Sequence, residues 1–493
     1  MSTTMSRRMR SFKRWMNDHS IHYTTALDFI IQQHDQQVYV KTSSDLHSGD
    51  IIATIPKQSC LTVKSSGGCD LIEEFGLEGY MALSVAIMYE KSLKEASNWF
   101  GYFQIMPDRN DDVPLLWSVD EIDQLLLGTE LHKTVKEDKA LVYEDWKACI
   151  LPFVESASVQ LNPDDFSVEK YFAAKSLISS RSFQIDDYYG FGMVPLADLF
   201  NHKTDAEDVH FTSVSSHSDS ESDSDVNVEN EIDADKLEDH NESNVDSPKS
   251  EFSVDDDDAS SSTSEILEMI MVRDVKAGAE VFNTYGSMGN AALLHRYGFT
   301  EPDNPYDIVN IDLELVQQWS SSVYTSRHTR SRLSLWKRLY HSEFPNQDID
   351  YFEISYDGEP EVELLKLIFI ISLPEKAYNE FDKSKAVSVS KKERIMLGEI
   401  TETNKKLLLT ECVGGALLLL ADIRDRCYGS RSMEDDVEAL KKCPVTDKKM
   451  YHSLVLSISE RRILEKLRIW ASSRRRLLNV CNGSTIRKKV PKR

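Results

Sequence analysis

The sequence predicts an α+β fold followed by a mainly helical region, and three observations carry this prediction. Short runs rich in β-branched residues, typical of strands, occur at 38–40, 51–55, 209–212, 267–272 and 281–285. Apolar residues recur at three- and four-residue spacing, typical of helices, at 71–93 and 166–183. From about residue 311 the helical spacing dominates, which predicts that the second part of the chain is all-α.

The strand candidates differ in how they should pair. Gly49-Asp50 supplies a turn just before 51–55, so this run and 38–40 are predicted to form a hairpin. The runs at 209–212 and 267–272 flank a long polar segment, and they are expected to belong to one sheet. A long insertion between paired strands is tolerable because the entropy cost of loop closure grows only with the logarithm of length.

The charge of the chain is concentrated in that polar segment. The 493 residues carry a formal charge of -25, and the segment 214–263 holds 17 Asp or Glu against two Lys. The remaining 443 residues therefore carry only about -10, an ordinary value for a globular protein. The segment has no apolar periodicity and one aromatic residue, Phe252. It cannot bury enough apolar surface to offset its ordering entropy, so the sequence predicts a disordered acidic loop.

Several classes of protein are disfavoured by composition. Seven cysteines without a Cys-x-x-Cys pair argue against a disulfide framework or a cysteine zinc site, and no metal is predicted. Apolar runs stay well below the roughly 18 residues of a membrane span, so no membrane partner is expected. Residues 1–14 carry five basic residues but lack the apolar core of a secretory signal. A cleaved transit peptide is the alternative interpretation of this terminus.

Two short motifs, far apart in the sequence, carry the functional prediction. The first is Asn201-His202, at the end of the run Val194-Pro195-Leu196-Ala197-Asp198-Leu199-Phe200. The second is Asn283-Thr284-Tyr285-Gly286, followed by His295-Arg296-Tyr297-Gly298-Phe299. Together they resemble the SET-domain protein-lysine methyltransferases, and more narrowly the branch with a C-terminal Rubisco-methyltransferase-type substrate-binding domain. The residues of the second motif most resemble those of the sub-branch that methylates ribosomal and nuclear proteins.

Further matches extend the resemblance over nearly the whole chain. They are the stretches at 99–107, 114–117 and 127–129, together with Tyr428-Gly429-Ser430. The resemblance implies a SET β-fold of small sheets with knot-like threading. It places the SET catalytic domain at 12–310, with an inserted helical subdomain at 71–175 and the acidic loop at 214–263. A helical substrate-binding domain at 311–480 and a basic tail at 481–493 would complete the chain.

One departure from the family pattern concerns the first hairpin. SET proteins carry a Gly-x-Gly motif there, whose backbone approaches the cofactor S-adenosylmethionine. The corresponding stretch, 34–40, has Gln37 and Tyr39 where glycines are expected. A side chain at either position could obstruct the cofactor, or the turn could be rebuilt around it.

The resemblance assigns roles to seven residues. Tyr285 matches the catalytic tyrosine that lines the lysine channel and also borders the cofactor. Asn201 and His202 match residues that bind the cofactor, and Arg181 matches a residue near the carboxylate of the cofactor. Three aromatic residues would line the substrate channel: Phe183, Tyr297 and Phe299.

These residue types suit transfer of a methyl group to an amine. At pH 7 the neutral form of a free lysine costs about 4.6 kcal/mol, because the lysine pKa lies near 10.4. A narrow aromatic channel lowers this cost, because desolvation disfavours the ammonium form. A tyrosine phenol stays neutral at this pH and can accept or donate a hydrogen bond without adding a charge. Alignment of the reactants would therefore supply most of the acceleration.

The predicted function is S-adenosylmethionine-dependent methylation of a lysine in a protein substrate. By resemblance the substrate is a ribosomal protein, with a nuclear protein as the next candidate, and the location is nucleus or cytoplasm. A monomer with no direct nucleic-acid contact is expected. Two alternatives stay open: a catalytically degenerate SET scaffold that binds basic proteins, and a histidine methyltransferase.

Overall fold

The computed structural model describes residues 2–32, 37–156, 161–215, 263–344, 347, 349–384, 386–388 and 394–483. The chain divides into two compact units. A β-rich unit comprises Met1–Asp70, Leu93–Met106 and Ser182–Gly286. A helical unit comprises Leu71–Ser92, Pro107–Arg181 and Ser287–Arg493. Most of the predicted acidic loop, part of the stretch 34–40 and residues 484–493 of the basic tail lie outside the described residues.

Helices make up most of the described chain. Their bounds are α1 Ser2–Asp18, α2 Cys69–Phe75, α3 Gly79–Ser92, α4 Phe100–Phe103, α5 Val119–Leu125, α6 Leu131–Asp145, α7 Leu151–Ser156, α8 Val168–Arg181, α9 Asn290–Tyr297, α10 Leu313–Val323, α11 Ser326–Glu343, α12 Val362–Ser372, α13 Glu375–Ser384, α14 Glu411–Arg426, α15 Met433–Lys442 and α16 Lys448–Gly483. The helical periodicity at 71–93 and 166–183 is thereby confirmed by α2, α3 and α8.

Strands are short and form several small sheets. Their bounds are β1 His22–Tyr23, β2 Leu27–Ile31, β3 Val38–Thr42, β4 Ile51–Pro56, β5 Leu61–Thr62, β6 Ser182–Asp186, β7 Gly190–Met193, β8 Val209–Ser215, β9 Thr263–Met271, β10 Val309–Asp312, β11 Tyr351–Ile354, β12 Ala386–Ser388 and β13 Arg394–Met396. The β-rich unit contains sheets of order β1-β4-β9-β8, β5-β7-β6 and β2-β3. The predicted α+β class with small sheets is confirmed.

The pairing within these sheets confirms one prediction and corrects another. Strands β8 and β9, which flank the acidic segment, are antiparallel neighbours in one sheet, as predicted. The predicted hairpin between 38–40 and 51–55 is wrong. Strand β3 pairs with β2, whereas β4 pairs with β1 and β9. The turn at Gly49 has φ +90°, and it redirects the chain to another sheet instead of folding it back on β3.

A helix at the N-terminus packs on the β-rich unit through one apolar side. Phe12 and Met16 are fully buried, and the Trp15 ring stacks on Tyr102 at 6.0 Å. Helix α1 crosses α4 at Gly101, where an added Cβ would lie 2.3 Å from the Trp15 Cβ. Only glycine permits this close approach of the two helices.

The helical unit is built around two apolar clusters. The larger one joins helix α12, of which eight residues are buried, to α10, α14 and α16. The smaller one surrounds Trp117 with residues of α5, α6, α9 and α16. Two antiparallel ladders, β10–β11 and β12–β13, also lie in the region predicted as all-α. Helical spacing could not reveal them because each is only three or four residues long.

A buried polar network crosses the helical unit. The Arg424 guanidinium donates hydrogen bonds to the carbonyls of Gly128 and Asn310 and, at 2.8 Å, to Glu130 Oε1. The Tyr428 hydroxyl donates to Glu460 Oε2, and the Glu130 backbone N–H donates to Glu460 Oε1. Burial, reinforced by the negative charge of Glu130, raises the pKa of Glu460 to about 8. The network therefore joins the stretches around Gly128 and Tyr428, which both match the family pattern in the sequence.

The described residues form neither a membrane-spanning helix nor a metal-binding cluster. None of the described helices combines the length and apolarity needed to cross a membrane. The same residues hold no group of three or more His, Cys, Asp or Glu side chains arranged to bind a metal ion.

Candidate active site

The two sequence motifs meet in the β-rich unit. Segment 281–285 was predicted as a strand, and this is wrong: it contains one isolated bridge, at Asn283, and no continuous ladder. Val281 donates its backbone N–H to Val40 O at 2.9 Å, whereas Asn283 makes a parallel bridge with His202. Val40 and His202 lie on different segments, so residues 281–285 bond to both segments without forming a strand.

Backbone hydrogen bonds hold the motifs in register. The Asn283 N–H donates to the Asn201 carbonyl at 2.8 Å, and the Lys203 N–H donates to the Asn283 carbonyl. The Tyr285 N–H donates to His202 Nδ1 at 2.9 Å. His202 is 7% exposed, so this bond is largely protected from water. Nδ1 must be unprotonated to accept it, which fixes the neutral imidazole tautomer with the proton on Nε2.

The side chain of Tyr285 also contacts the turn that carries His202. The two rings stack with centroids 5.0 Å apart and planes inclined by 25°. The Tyr285 hydroxyl donates to the Phe200 carbonyl at 3.0 Å. The phenol is thereby fixed at both its backbone and its tip, while the oxygen lone pairs remain able to accept a further hydrogen bond.

The turn that presents Asn201 is itself strained. Leu196 has φ +77° and ψ −50°, which is unusual for a branched residue, and its side chain is fully buried. Such a conformation costs on the order of 1–3 kcal/mol and persists only where packing enforces it. The 3-10 turn Ala197–Leu199 follows and leads to Asn201, whose side-chain amide donates to Glu280 Oε1 at 2.7 Å.

Asp208, a residue that sequence reasoning missed, organises the approach to Tyr285. Asp208, 5% exposed, accepts the Phe282 N–H with Oδ2 at 2.9 Å and the Arg273 Nε–H with Oδ1. Its own backbone N–H donates to the Phe282 carbonyl at 2.9 Å. Phe282 is thus bound on both backbone groups three residues before Tyr285. In the sequence, Asp208 is one acid among several and carries no signal of this role.

We expect Asp208→Asn to loosen this segment. One amide group cannot accept from both Phe282 N–H and Arg273, because its nitrogen is a donor, so one of the two donors loses its acceptor. At the Phe282 N–H this loss costs about 1–3 kcal/mol. Amide hydrogen exchange at Phe282 and Tyr285 should quicken by about tenfold or more. Arg273→Gln is the matched control, because it keeps the acceptor of Phe282. Equal exchange rates in the two variants would show that Asp208 does not hold this segment.

The other predicted site residues are distributed over both units. Phe183 lies on β6 in the β-rich unit, half-buried, with its ring 5.5 Å from that of Phe211. Arg181 is the last residue of helix α8, in the helical unit, within the stretch 166–183 that was predicted to be helical. Tyr297 ends α9 in the helical unit, and its ring lies 6.1 Å from that of Phe299. Burial raises the pKa of Tyr297 to about 12.

The stretch that replaces the Gly-x-Gly motif is partly described. Strands β2 and β3 close at a bond from Gln32 N–H to Gln37 O of 2.9 Å, and residues 33–36 lie outside the described part. Tyr39 lies within β3, paired with Ile30, and the Lys41 ammonium lies over its ring. Tyr39 is therefore part of a strand and not of the turn itself.

Comparisons with known proteins agree with this architecture. No family model matches the chain. Ribosomal lysine N-methyltransferase 3 of Saccharomyces cerevisiae is 28% identical over 325 residues, which are 56% of this chain and 58% of that protein. N-lysine methyltransferase setd6 of Xenopus tropicalis is 24% identical over 86% of each chain. The alignments with the yeast protein and with setd6 of Danio rerio each span 58% of the relative's length.

Solved structures show the same fold. A SET domain of LSMT bound to lysine and AdoHcy superposes with a TM-score of 0.63 at 19% identity, covering 96% of this chain and 93% of that one. Rubisco LSMT bound to AdoMet superposes with a TM-score of 0.60 at 17% identity, covering 98% and 97%. The fold is that of the SET-domain methyltransferases. The chain therefore has the SET-domain fold, and the sequence relatives that it matches are named lysine N-methyltransferases.

Proposed function

We propose that this protein transfers a methyl group from S-adenosylmethionine to the side-chain amine of a lysine in a protein substrate. The observation that carries the proposal is the joining of the two motifs. The backbone N–H of Asn283 donates to the Asn201 carbonyl, and the His202 ring both accepts the Tyr285 N–H and stacks on the Tyr285 ring. The names of the sequence relatives support lysine as the acceptor. AdoMet and AdoHcy in the neighbouring structures support the cofactor.

The residues around Tyr285 and His202 fit a sulfonium donor. Oxygen lone pairs and aromatic faces dominate it: the Phe200 carbonyl, the Tyr285 phenol and the stacked His202 and Tyr285 rings. Both kinds of group attract a cation. The ammonium of Lys203 lies over the Phe282 ring at 5.4 Å and is engaged there. Asn201 and His202 would hold the cofactor, with Arg181 proposed for its carboxylate.

S-adenosylmethionine would supply a methyl group on a sulfonium that leaves as a neutral thioether. The contribution of Tyr285 is positional: its phenol is fixed by the Phe200 carbonyl and can accept an N–H of the incoming amine through a lone pair. No charged side chain is required at this point, so the lysine is not held in its protonated form. Phe183, Tyr297 and Phe299 are proposed to line the channel.

A ribosomal protein is the substrate that we propose, with a nuclear protein second. The yeast relative is named for ribosomal lysine methylation, which supports the first choice. The nucleus or the cytoplasm would then be the place of action. The helical region from about residue 311 would bind the protein substrate, and the whole protein would act as a monomer.

Calorimetric titration with S-adenosylmethionine tests the proposal against a degenerate scaffold. Wild type is expected to bind at micromolar cofactor, and His202→Ala at least tenfold more weakly, because the Tyr285 N–H loses its acceptor. His210→Ala is the matched control: His210 lies in the same unit, exposed, beside Glu207, and should bind as wild type does. Absence of binding at millimolar cofactor would contradict the proposal and favour the scaffold.

A further inference from the structure

Helix α11 presents a row of cations on one side. Projected at 100° per residue, five basic positions and Ser334 fall within an arc of about 100°, and all six are exposed. The basic positions are Arg327, Arg330, Lys337, Arg338 and His341. From Arg327 to His341 the row is roughly 21 Å long, at 1.5 Å per residue. We call this surface the α11 basic face.

Three of the five cations on this face have no ion-pair partner among the described residues. From Ser326 to Ser342 the helix carries no Asp or Glu. Across the described part of the chain, no carboxylate lies within ion-pair distance of Arg327, Arg330 or Lys337. Arg338 and His341 engage neighbouring groups, so the inference depends on the other three. Arg332, on the opposite side, is buried and pairs with Glu375. In a chain of net charge -25, such an acid-free row is unusual.

The composition of the face indicates its partner. Protein interfaces depend on apolar and aromatic anchors, and no large hydrophobic side chain is exposed between Ser326 and Ser342. Ser334, small and central, lets a backbone approach the helix closely. Two guanidiniums favour bidentate contact with phosphate oxygens. Along one strand of a B-form duplex the phosphates follow one another at roughly 3.4 Å of helix axis, so the roughly 15 Å from Arg327 to Lys337 could face about four phosphates.

We propose that the α11 basic face binds the phosphodiester backbone of structured RNA. This goes beyond the methyl-transfer proposal, and it departs from the expectation of no direct nucleic-acid contact. The chain as a whole is acidic, and the local row becomes visible when burial separates the two sides of α11. Contacts of this kind position a protein on RNA without reading sequence.

Fluorescence anisotropy with a labelled 20-base-pair RNA duplex, without cofactor, tests the proposal. The triple variant Arg327→Gln, Arg330→Gln, Lys337→Gln should bind at least tenfold more weakly than wild type at 50 mM salt. Its slope of log affinity against log salt should be shallower by roughly two to three, as expected for three lost phosphate contacts. Omitting the cofactor makes the result independent of methyl transfer.

The control triple Lys133→Gln, Lys147→Gln, Lys442→Gln removes the same charge from exposed lysines that already pair with Glu137, Glu144 and Glu438. It should bind within twofold of wild type. Arg327→Lys with Arg330→Lys, which keeps charge and helix propensity, should retain most of the affinity. The proposal would be overturned by an equal loss of RNA affinity in both triple variants, or by no binding of RNA to wild type at 50 mM salt. It would also be overturned if polyglutamate competed as effectively as RNA, and that result would indicate an acidic protein partner.

Discussion

Tyr285→Phe is expected to slow methyl transfer into protein by about 100-fold while leaving S-adenosylmethionine binding within threefold of wild type. The substitution keeps the ring that stacks on His202 and keeps the backbone bond to His202 Nδ1. It removes only the hydroxyl that donates to the Phe200 carbonyl. Loss of one preorganised polar group next to the reacting atoms typically costs a factor of 10²–10³ in rate.

The measurement is incorporation of labelled methyl groups into a ribosome extract, with cofactor affinity determined separately by calorimetry. Tyr188→Phe is the matched control: Tyr188 lies in the same unit but is 67% exposed, and its loss of a hydroxyl should leave the rate unchanged. Unaltered incorporation by Tyr285→Phe would remove Tyr285 from the role proposed for it.

Arg424→Ala is expected to destabilise the helical unit by about 3–5 kcal/mol. Arg424 is 6% exposed, and its guanidinium satisfies two backbone carbonyls and the Glu130 carboxylate. Removing it leaves these acceptors buried without their donor. Breaking a buried ion pair from one side costs this much because the remaining charge is uncompensated. Glu460 Oε2 lies 3.7 Å from the same guanidinium, so its carboxyl group loses this neighbour as well.

Urea unfolding monitored by circular dichroism measures this loss. The matched control is Arg468→Ala: Arg468 is 28% exposed and pairs with Asp422 and Asp425 near the surface. Such pairs contribute about 0–1 kcal/mol, so this variant should unfold close to wild type. Equal losses in the two variants would mean that the buried network contributes no more than an ordinary surface pair.

The sequence predicted the meeting of the two motifs but not the local structure that joins them. Asn201-His202 and Tyr285 are recognisable because their residue types and order resemble a known family. The stretch 281–285 has the composition of a strand, yet its hydrogen bonds go to Val40, Asp208 and Asn201 on separate segments. Periodicity reports burial and not bonding partners, so a strand was the natural but incorrect prediction.

The same limit explains the other corrections. Gly49 signals a turn, but a turn signal does not say which strand follows next in the sheet, and β4 joins β9, more than 200 residues later. Asp208 and Glu280 were missed because isolated acids carry no pattern. Their roles arise from tertiary contacts with Phe282 and Asn201.

Methylation of a lysine in a protein substrate can be tested by mass spectrometry. Proteins of a ribosome extract are incubated with this protein and with S-adenosylmethionine that carries a labelled methyl group. We expect the label on the side-chain nitrogen of lysine in a protein of that extract, and its loss with Tyr285→Phe. Label confined to histidine, or no labelled residue from a protein that binds the cofactor, would contradict it.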